Sequence, residues 1–319
     1  MLSANKQVVD VHVLLFTCLV TRAIHLELVP NTSGKHCLLA LDRFYSLRRV
    51  PKMIISDNGS SFTFIQPMLG IKVKIRDHKL NNYVSSNQIQ WHFIPQYAPW
   101  YGGAYERLVG LVKRSLKKSY GLHLLEYEEL RTVIYRVMDI VNGRPLNYMF
   151  SDEILQALTP NHFLKLGPTN INLDIFPVEK PPVSATGADL LRDWHHICRV
   201  LDAYWDAFRS LYLTSLRERH VSKHPKKRGT PPFTPSVGDV VLVQEVSQPR
   251  GSWKIGVIKE LDKRQALATV LSDKKKIIRS IRQLYPLEVN CERSVPLSAT
   301  NPPSPNAIPP IAGSSRQNV

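Results

Sequence analysis

At 319 residues with 43% hydrophobic content, the chain is long enough for two or three domains and apolar enough to bury real cores, which excludes a wholly disordered class. Lys and Arg number 42 against 26 Asp and Glu, giving a formal charge of +16 and a pI near 9.7. That balance suits a polyanion and makes nucleic acid the leading partner, although charge by itself is also compatible with a merely soluble basic protein.

The four cysteines, Cys18, Cys37, Cys198 and Cys291, form no Cys-x-x-Cys pair and have no His pair beside them, which argues against a zinc site and for a reduced intracellular compartment. The longest apolar run, Val11 to Val20, is broken by His12 and Thr17 and is too short to cross a bilayer. No charged-then-apolar leader opens the chain, so a soluble, non-secreted protein without a membrane partner is expected.

Val8 to Cys18 is rich in aliphatic and β-branched residues and predicts a buried strand. Ala23 to Val29 alternates Ile24, Leu26 and Leu28 with His25 and Glu27 and predicts a half-buried one, joined to the first by a hairpin around Val20-Thr21-Arg22. Ser33 is placed to cap a helix carrying Leu38, Leu39, Leu41, Phe44 and Tyr45, which Pro51 stops. Met53 to Ser56 resumes as a strand, and Trp91 to Pro95 reads as another. A Pro- and Gly-containing loop follows, Gln96 to Gly103, suited to an active-site lid.

From Ala104 the pattern is helical, with Leu108, Leu111, Val112 and Leu116 as its apolar stripe and Lys113, Arg114, Lys117 and Lys118 polar. Glu106, Lys113 and Lys117 share one face at 3.6 residues per turn. A second helix, about Tyr127 to Val141, stops at Asn142-Gly143-Arg144-Pro145. Strands and helices in this order predict a mixed α/β domain over residues 1–166. Residues 167–228 read as a Pro-rich linker and then a long helix, roughly Asp189 to Arg219, with Trp194, Tyr204, Trp205 and Phe208 as a packing stripe. Over 229–288 the segments Val240–Val243, Trp253–Glu260, Ala266–Leu271 and Ile277–Ile281 are spaced as in a small five-stranded barrel. The tail, 289–319, has no core-forming period and is expected to be disordered.

Two carboxylates hold the chemical interest. Asp57 lies at the exit of the short Ile54-Ile55-Ser56 strand, before Asn58-Gly59; taken alone, Asp-Asn-Gly reads as an Asx turn. Glu106 stands in the first turn of the basic helix, where a carboxylate also favours the helix dipole. Taken together they are two parts of a carboxylate cluster able to hold metal, and Lys113, Arg114, Lys117 and Lys118 are either a solvated face or phosphate contacts beside it.

Six stretches occur in order along about half the chain: Leu15–Leu28, Ser56-Asp57-Asn58-Gly59, Trp91–Pro95, Gly102-Gly103-Ala104-Tyr105-Glu106, Asn142–Leu146 and Ala157–Pro160. They closely resemble the integrase core of BEL/Pao-type LTR retrotransposons. The stretch Val237–Leu242 through Pro249–Gly256 resembles the domain that follows this core, an SH3-like DNA-binding barrel. The resemblance implies a ribonuclease-H-like mixed sheet with flanking helices, then a helical linker and the barrel. It also implies a metal-dependent Asp-Asp-Glu polynucleotidyl transferase that acts on double-stranded DNA with Mg²⁺ or Mn²⁺, not on a small molecule, and that assembles as a homo-oligomer. Asp57 corresponds to the second catalytic Asp and Glu106 to the catalytic Glu; Asn58 and the four basic residues fall on the DNA side. A nuclear or retrotransposon-particle location is implied.

The chain departs from the family pattern in three places. The family's first Asp lies on a strand upstream of the Phe16-Thr17-Cys18 strand, so two of three carboxylates and a missing first strand are expected, which makes the chain N-terminally truncated and catalytically incomplete. Asp10 reads as a solvated residue at a strand start. Arg49 stands where the family has a helix-ending Gly, and Tyr105 where it has Trp. The rival expectation is a non-catalytic DNA-binding or assembly protein derived from an integrase.

Overall fold

The structure is a computed structural model and describes residues 8–59, 62, 89–94, 103–120, 124–151, 154–165, 185–223, 235–245, 248–262 and 264–289. The first two β-rich runs pair as an antiparallel hairpin, β1 (His12–Thr17) with β2 (Ile24–Val29), setting Leu15 opposite Leu26 and Phe16 opposite His25. Their turn passes through Arg22 at φ +56°, left-handed backbone that costs a side-chain-bearing residue roughly 1 kcal/mol.

β2 departs from the half-buried strand expected of its alternation. Its burial is complete on both faces, with His25 only 3% and Glu27 only 4% exposed. The reason is α1 (Gly34–Arg48), which folds over the polar face: Arg43 Nε donates to Glu27 Oε2 at 2.8 Å, His25 Nε2 donates to Glu27 Oε1 at 3.0 Å, and Phe44 stacks on Phe16. A carboxylate with two cationic or polar partners can be buried at tolerable cost, which alternation alone does not anticipate. Ser33 occupies the expected cap position, but its hydroxyl meets His36 Nδ1 at 3.0 Å instead of a backbone N–H. α1 ends on Arg49 at φ +69°, ψ 160°, a region that glycine alone adopts freely.

β3 (Met53–Ser56) and β4 (Gln90–Phe93) form a parallel ladder with Ser56 opposite Phe93. The inner face of α1, through Cys37 and Leu41, packs on both ladders at once, touching Leu14 and Phe16 of one and Ile54 and Trp91 of the other. Two amphipathic helices follow, α2 (Gly103–Tyr120) and α3 (Tyr127–Asn142), the second opened by a capping box between Glu126 and Glu129. Next come a hairpin, β5 (Asn147–Ser151) with β6 (Ile154–Leu158), and the short α4 (Pro160–Leu164), elements that sequence periodicity leaves unread.

The long helix α5 (Ala185–Lys223) extends a turn beyond each expected end. Tyr204, Trp205 and Phe208 of the expected stripe are buried, joined by Tyr212, and Trp194 is half-buried under Arg136, so the stripe is a packing face. Five antiparallel strands complete the fold in the order β10-β9-β8-β7-β11: β7 (Val240–Val243), β8 (Lys254–Asp262), β9 (Leu267–Ser272), β10 (Lys275–Ser280) and β11 (Leu284–Pro286). β8 and β9 approach so closely that a Cβ on Gly256 would lie 2.5 Å from Val270 Cγ1 and 2.8 Å from Leu271 O. The chain is therefore mixed α/β, then a long helix, then a five-stranded antiparallel sheet of SH3-like size and order.

One apolar cluster runs through these parts. Leu108, Leu111 and Val112 of α2, Val133 and Val137 of α3, Leu201 and Phe208 of α5, and Leu242, Ile255 and Tyr285 of the barrel belong to it. Of the expected lid loop, Gln96 to Gly103, the last residue opens α2 and residues 96–102 lie outside the described residues, as do most of the Pro-rich linker before α5, residues 224–234 and the tail from Asn290. No helix among the described residues is long and apolar enough to cross a membrane.

Candidate active site and nucleic-acid face

Asp57 leaves the carboxyl end of β3, the end of a parallel strand where side chains project clear of the ladder. It is exposed, and its Oδ1 accepts the Gly59 N–H at 3.1 Å, so the Asx turn is present. The turn is braced on both sides. Trp91 Nε1 donates to Ser56 Oγ at 2.9 Å, Ser56 Oγ donates to Asp57 O at 3.0 Å, and Asn58 Nδ2 donates to Ile94 O at 2.7 Å. Asn58 thus ties the Asp57 turn to the end of β4 with one amide hydrogen, while its side chain stays exposed. These bonds hold Asp57 both by its backbone and through Oδ1.

Glu106 lies in the first turn of α2, exposed beside half-buried Tyr105. Burial pushes the Tyr105 phenol above its usual range, and the negative charges of Glu106 and then Asp57 push it further. Both carboxylates, far apart in sequence, thus act in the same direction on one phenol. The sequence offered Tyr105 only as an aromatic neighbour of Glu106.

Further along α2, Leu108, Leu111 and Val112 are buried against the shared core, and Lys113, Arg114, Lys117 and Lys118 are exposed. Arg114 Nε donates to Gly110 O at 3.2 Å. Glu106, Lys113 and Lys117 lie along one side of the helix, so cationic side chains continue the face that begins at the carboxylate. Lys117 and Lys118 also sit in the last turn, where positive charge complements the helix dipole.

Comparison with known proteins covers both halves of this arrangement. Residues 192–287, that is α5 and the barrel, match a protein family whose function is unknown. No curated protein matches the chain. Among solved structures, the HTLV-2 integrase catalytic core domain in complex with magnesium is similar in its trimeric form at 17% identity over 48% of this chain and 91% of that one, with a TM-score of 0.29. Its dimeric form gives 17% identity, 47% and 90% coverage and a TM-score of 0.28. A simian T-cell lymphotropic virus intasome is similar at 12% identity over 89% of this chain and 78% of its own, with a TM-score of 0.32.

Hard carboxylate oxygens of the Asp57 and Glu106 type suit Mg²⁺ or Mn²⁺. Among the described residues, no group of three His, Cys, Asp or Glu side chains is placed to hold a metal. Asp10 is exposed. The histidines are structural where they are engaged: His25 pairs with Glu27, and His162 Nδ1 accepts the Thr159 N–H at 3.1 Å at the start of α4.

Proposed function

We propose that the chain is an integrase-type protein of BEL/Pao-type retrotransposon origin that binds double-stranded DNA, with a polynucleotidyl-transfer site built on Asp57 and Glu106. The observation that carries this reading is the placement of Asp57 in a braced turn at the carboxyl end of the parallel β3–β4 ladder and of Glu106 in the first turn of α2, with the basic face of that helix running on from it. The antiparallel β1–β2 hairpin, the α1 crossing and the parallel β3–β4 ladder follow in the order of a ribonuclease-H-like sheet, which supports the same reading. In it, residues 1–166 are the catalytic-core region, 167–228 the linker and long helix, and 229–288 the SH3-like DNA-binding barrel. The protein self-assembles and works in the nucleus or a retrotransposon particle.

Asp57 and Glu106 would hold Mg²⁺ or Mn²⁺, which when bound supplies charge neutralisation at a phosphodiester and acidifies an attacking hydroxyl. The chain's own residues do the rest. The braced turn around Asp57 fixes its carboxylate relative to β3, which limits the reorganisation a reaction would require. Tyr105, its phenol pushed upward, stays protonated at neutral pH and can donate to a phosphate oxygen. Lys113 and Lys117 steer the duplex backbone along α2.

A second reading, a DNA-binding or assembly protein without chemistry, is favoured by the count of two site carboxylates among the described residues. A Mn²⁺-dependent strand-transfer assay on oligonucleotides separates the two. Turnover that Glu106→Gln reduces at least a hundredfold supports the enzyme; DNA binding with no turnover above background leaves the second reading.

A further inference from the structure

The Asn142-Gly143-Arg144-Pro145-Leu146 stretch is not used by the candidate site, and it reaches to three distant parts of the chain. Asn142 Oδ1 accepts the Ile24 N–H at 2.7 Å and its Nδ2 donates to Ile24 O at 2.9 Å, pinning the start of β2 from both sides. Arg144 is 1% exposed; it donates from Nη1 to Val141 O at 2.9 Å, from Nη2 to Arg22 O at 2.8 Å and from Nε to Glu288 Oε2 at 3.0 Å. Glu288 lies just past β11, at the end of the barrel. Its Oε1 accepts from Arg22 Nη1 at 3.3 Å.

The long helix joins at the same point. The Tyr212 hydroxyl lies 2.8 Å from Pro145 O and 3.1 Å from Glu288 Oε2, shared between them. Beyond Glu288 the backbone itself continues the contact, with Val289 N–H donating to Leu146 O at 2.8 Å and Leu146 N–H to Leu158 O at 2.8 Å. One carboxylate thus draws together the β1–β2 turn, the end of α3, α5 and the end of the barrel. Two guanidinium groups face it, so the assembly is ionic, and removing one partner of a buried ion pair costs far more than removing a surface pair.

We infer that Glu288 is a latch that seats the last strand of the barrel on the Asn142–Leu146 segment and holds the barrel and the α/β region as one body. The charges explain why the seat is specific: Arg22 and Arg144 converge where β11 ends, and any other register of that strand leaves buried Arg144 without its carboxylate. Arg22 takes left-handed backbone at the same spot, which turns its carbonyl toward Arg144 Nη2. The latch stands whether or not the protein cuts DNA.

Hydrogen exchange on the full chain tests it, with Glu288→Gln, which keeps the side-chain shape, and Tyr212→Phe, which removes a single oxygen. In Glu288→Gln, exchange in peptides covering Val289, Leu146 and the Arg22 turn should rise at least tenfold, while the central barrel strands β8 and β9 and helix α3 stay within twofold of wild type. Tyr212→Phe should raise the same peptides by a smaller factor, and it carries the test alone if Glu288→Gln does not fold. Unchanged exchange at those peptides overturns the latch. So does a uniform rise that includes β8, β9 and α3, because Glu288 would then support the fold in general and not a seam.

Discussion

Replacing Lys113, Arg114, Lys117 and Lys118 together by Gln removes four exposed charges from one side of α2 and keeps residues that favour helix. The buried stripe of Leu108, Leu111 and Val112 is untouched, and losing the last-turn charges weakens the dipole interaction by only about 0.3–1 kcal/mol. If all four cations meet phosphates, each adds about −0.9 to the slope of log affinity against log salt on B-DNA, so together they supply about −3.6. Over the range from about 50 to 200 mM salt that share alone amounts to a loss on the order of 10²-fold. Should Arg114 stay tied to Gly110 O, the share falls to about −2.7. Fluorescence anisotropy with a labelled duplex at several salt concentrations reads the slope, and circular dichroism verifies that the helix is retained. The slope of the quadruple variant should be shallower than wild type by roughly 3 to 4 units. A folded variant with the wild-type slope refutes the assignment of this face to DNA and leaves the charges as a solvated surface.

Two further outcomes follow from local geometry. Arg49→Gly relieves a conformation whose strain is about 1–3 kcal/mol, while glycine's greater freedom in the unfolded chain takes back roughly 0.5–1 kcal/mol, so a net gain of about 1 kcal/mol and a rise in Tm of a few degrees are expected by thermal denaturation; a fall in Tm would show that the Arg49 side chain contributes more than its backbone costs. Glu27 has its carboxyl held below the ordinary 4.5: burial would raise it, but His25 and Arg43 more than offset this. A depressed folded value means that its contribution is complete above about pH 4.5 and is lost as pH falls through the lowered one. The stability difference between wild type and Glu27→Gln, measured by urea denaturation, should therefore be largest near neutrality and shrink below pH 4.5, and a difference independent of pH would refute the linkage.

Much of the fold was legible because its signals are local. Aliphatic and β-branched richness located β1, alternation located β2, Pro51 closed α1, and the apolar stripes placed the start of α2 and both ends of α3 and α5 within about a turn of those observed. What sequence could not convey is which second layer covers an element. His25 and Glu27 look like a solvent-facing row until α1 brings Arg43 across. The β5–β6 hairpin, with Tyr148 and Phe150 on one face, has strands of only five residues each, too short for a clear strand period. In the candidate site, Asp57 and Glu106 were readable as motif residues, and the turn chemistry of Asp57 was readable as well. The pairing of Arg144 with Glu288 was not, because it joins residues remote in sequence and no periodicity encodes a long-range charge contact.

The arrangement of the core gives these separate features a common frame. The buried face of α2, which carries Glu106 and the four cations on its other sides, lies in the same apolar cluster as α5, and α5 lies in the same cluster as Leu242, Ile255 and Tyr285 of the barrel. Close-packed interiors transmit displacement instead of absorbing it, so the basic face of α2 and the barrel strands keep a fixed relation as long as that cluster is intact. The ionic seat at Glu288 closes the same body through Tyr212, on the face of α5 that carries Phe208. A ligand that spans α2 and the barrel would therefore meet two surfaces already set in place and would lose little affinity to ordering one against the other. This makes rigidity, and not the number of charges alone, the property that distinguishes the chain from a basic helix and a basic barrel joined by a free tether.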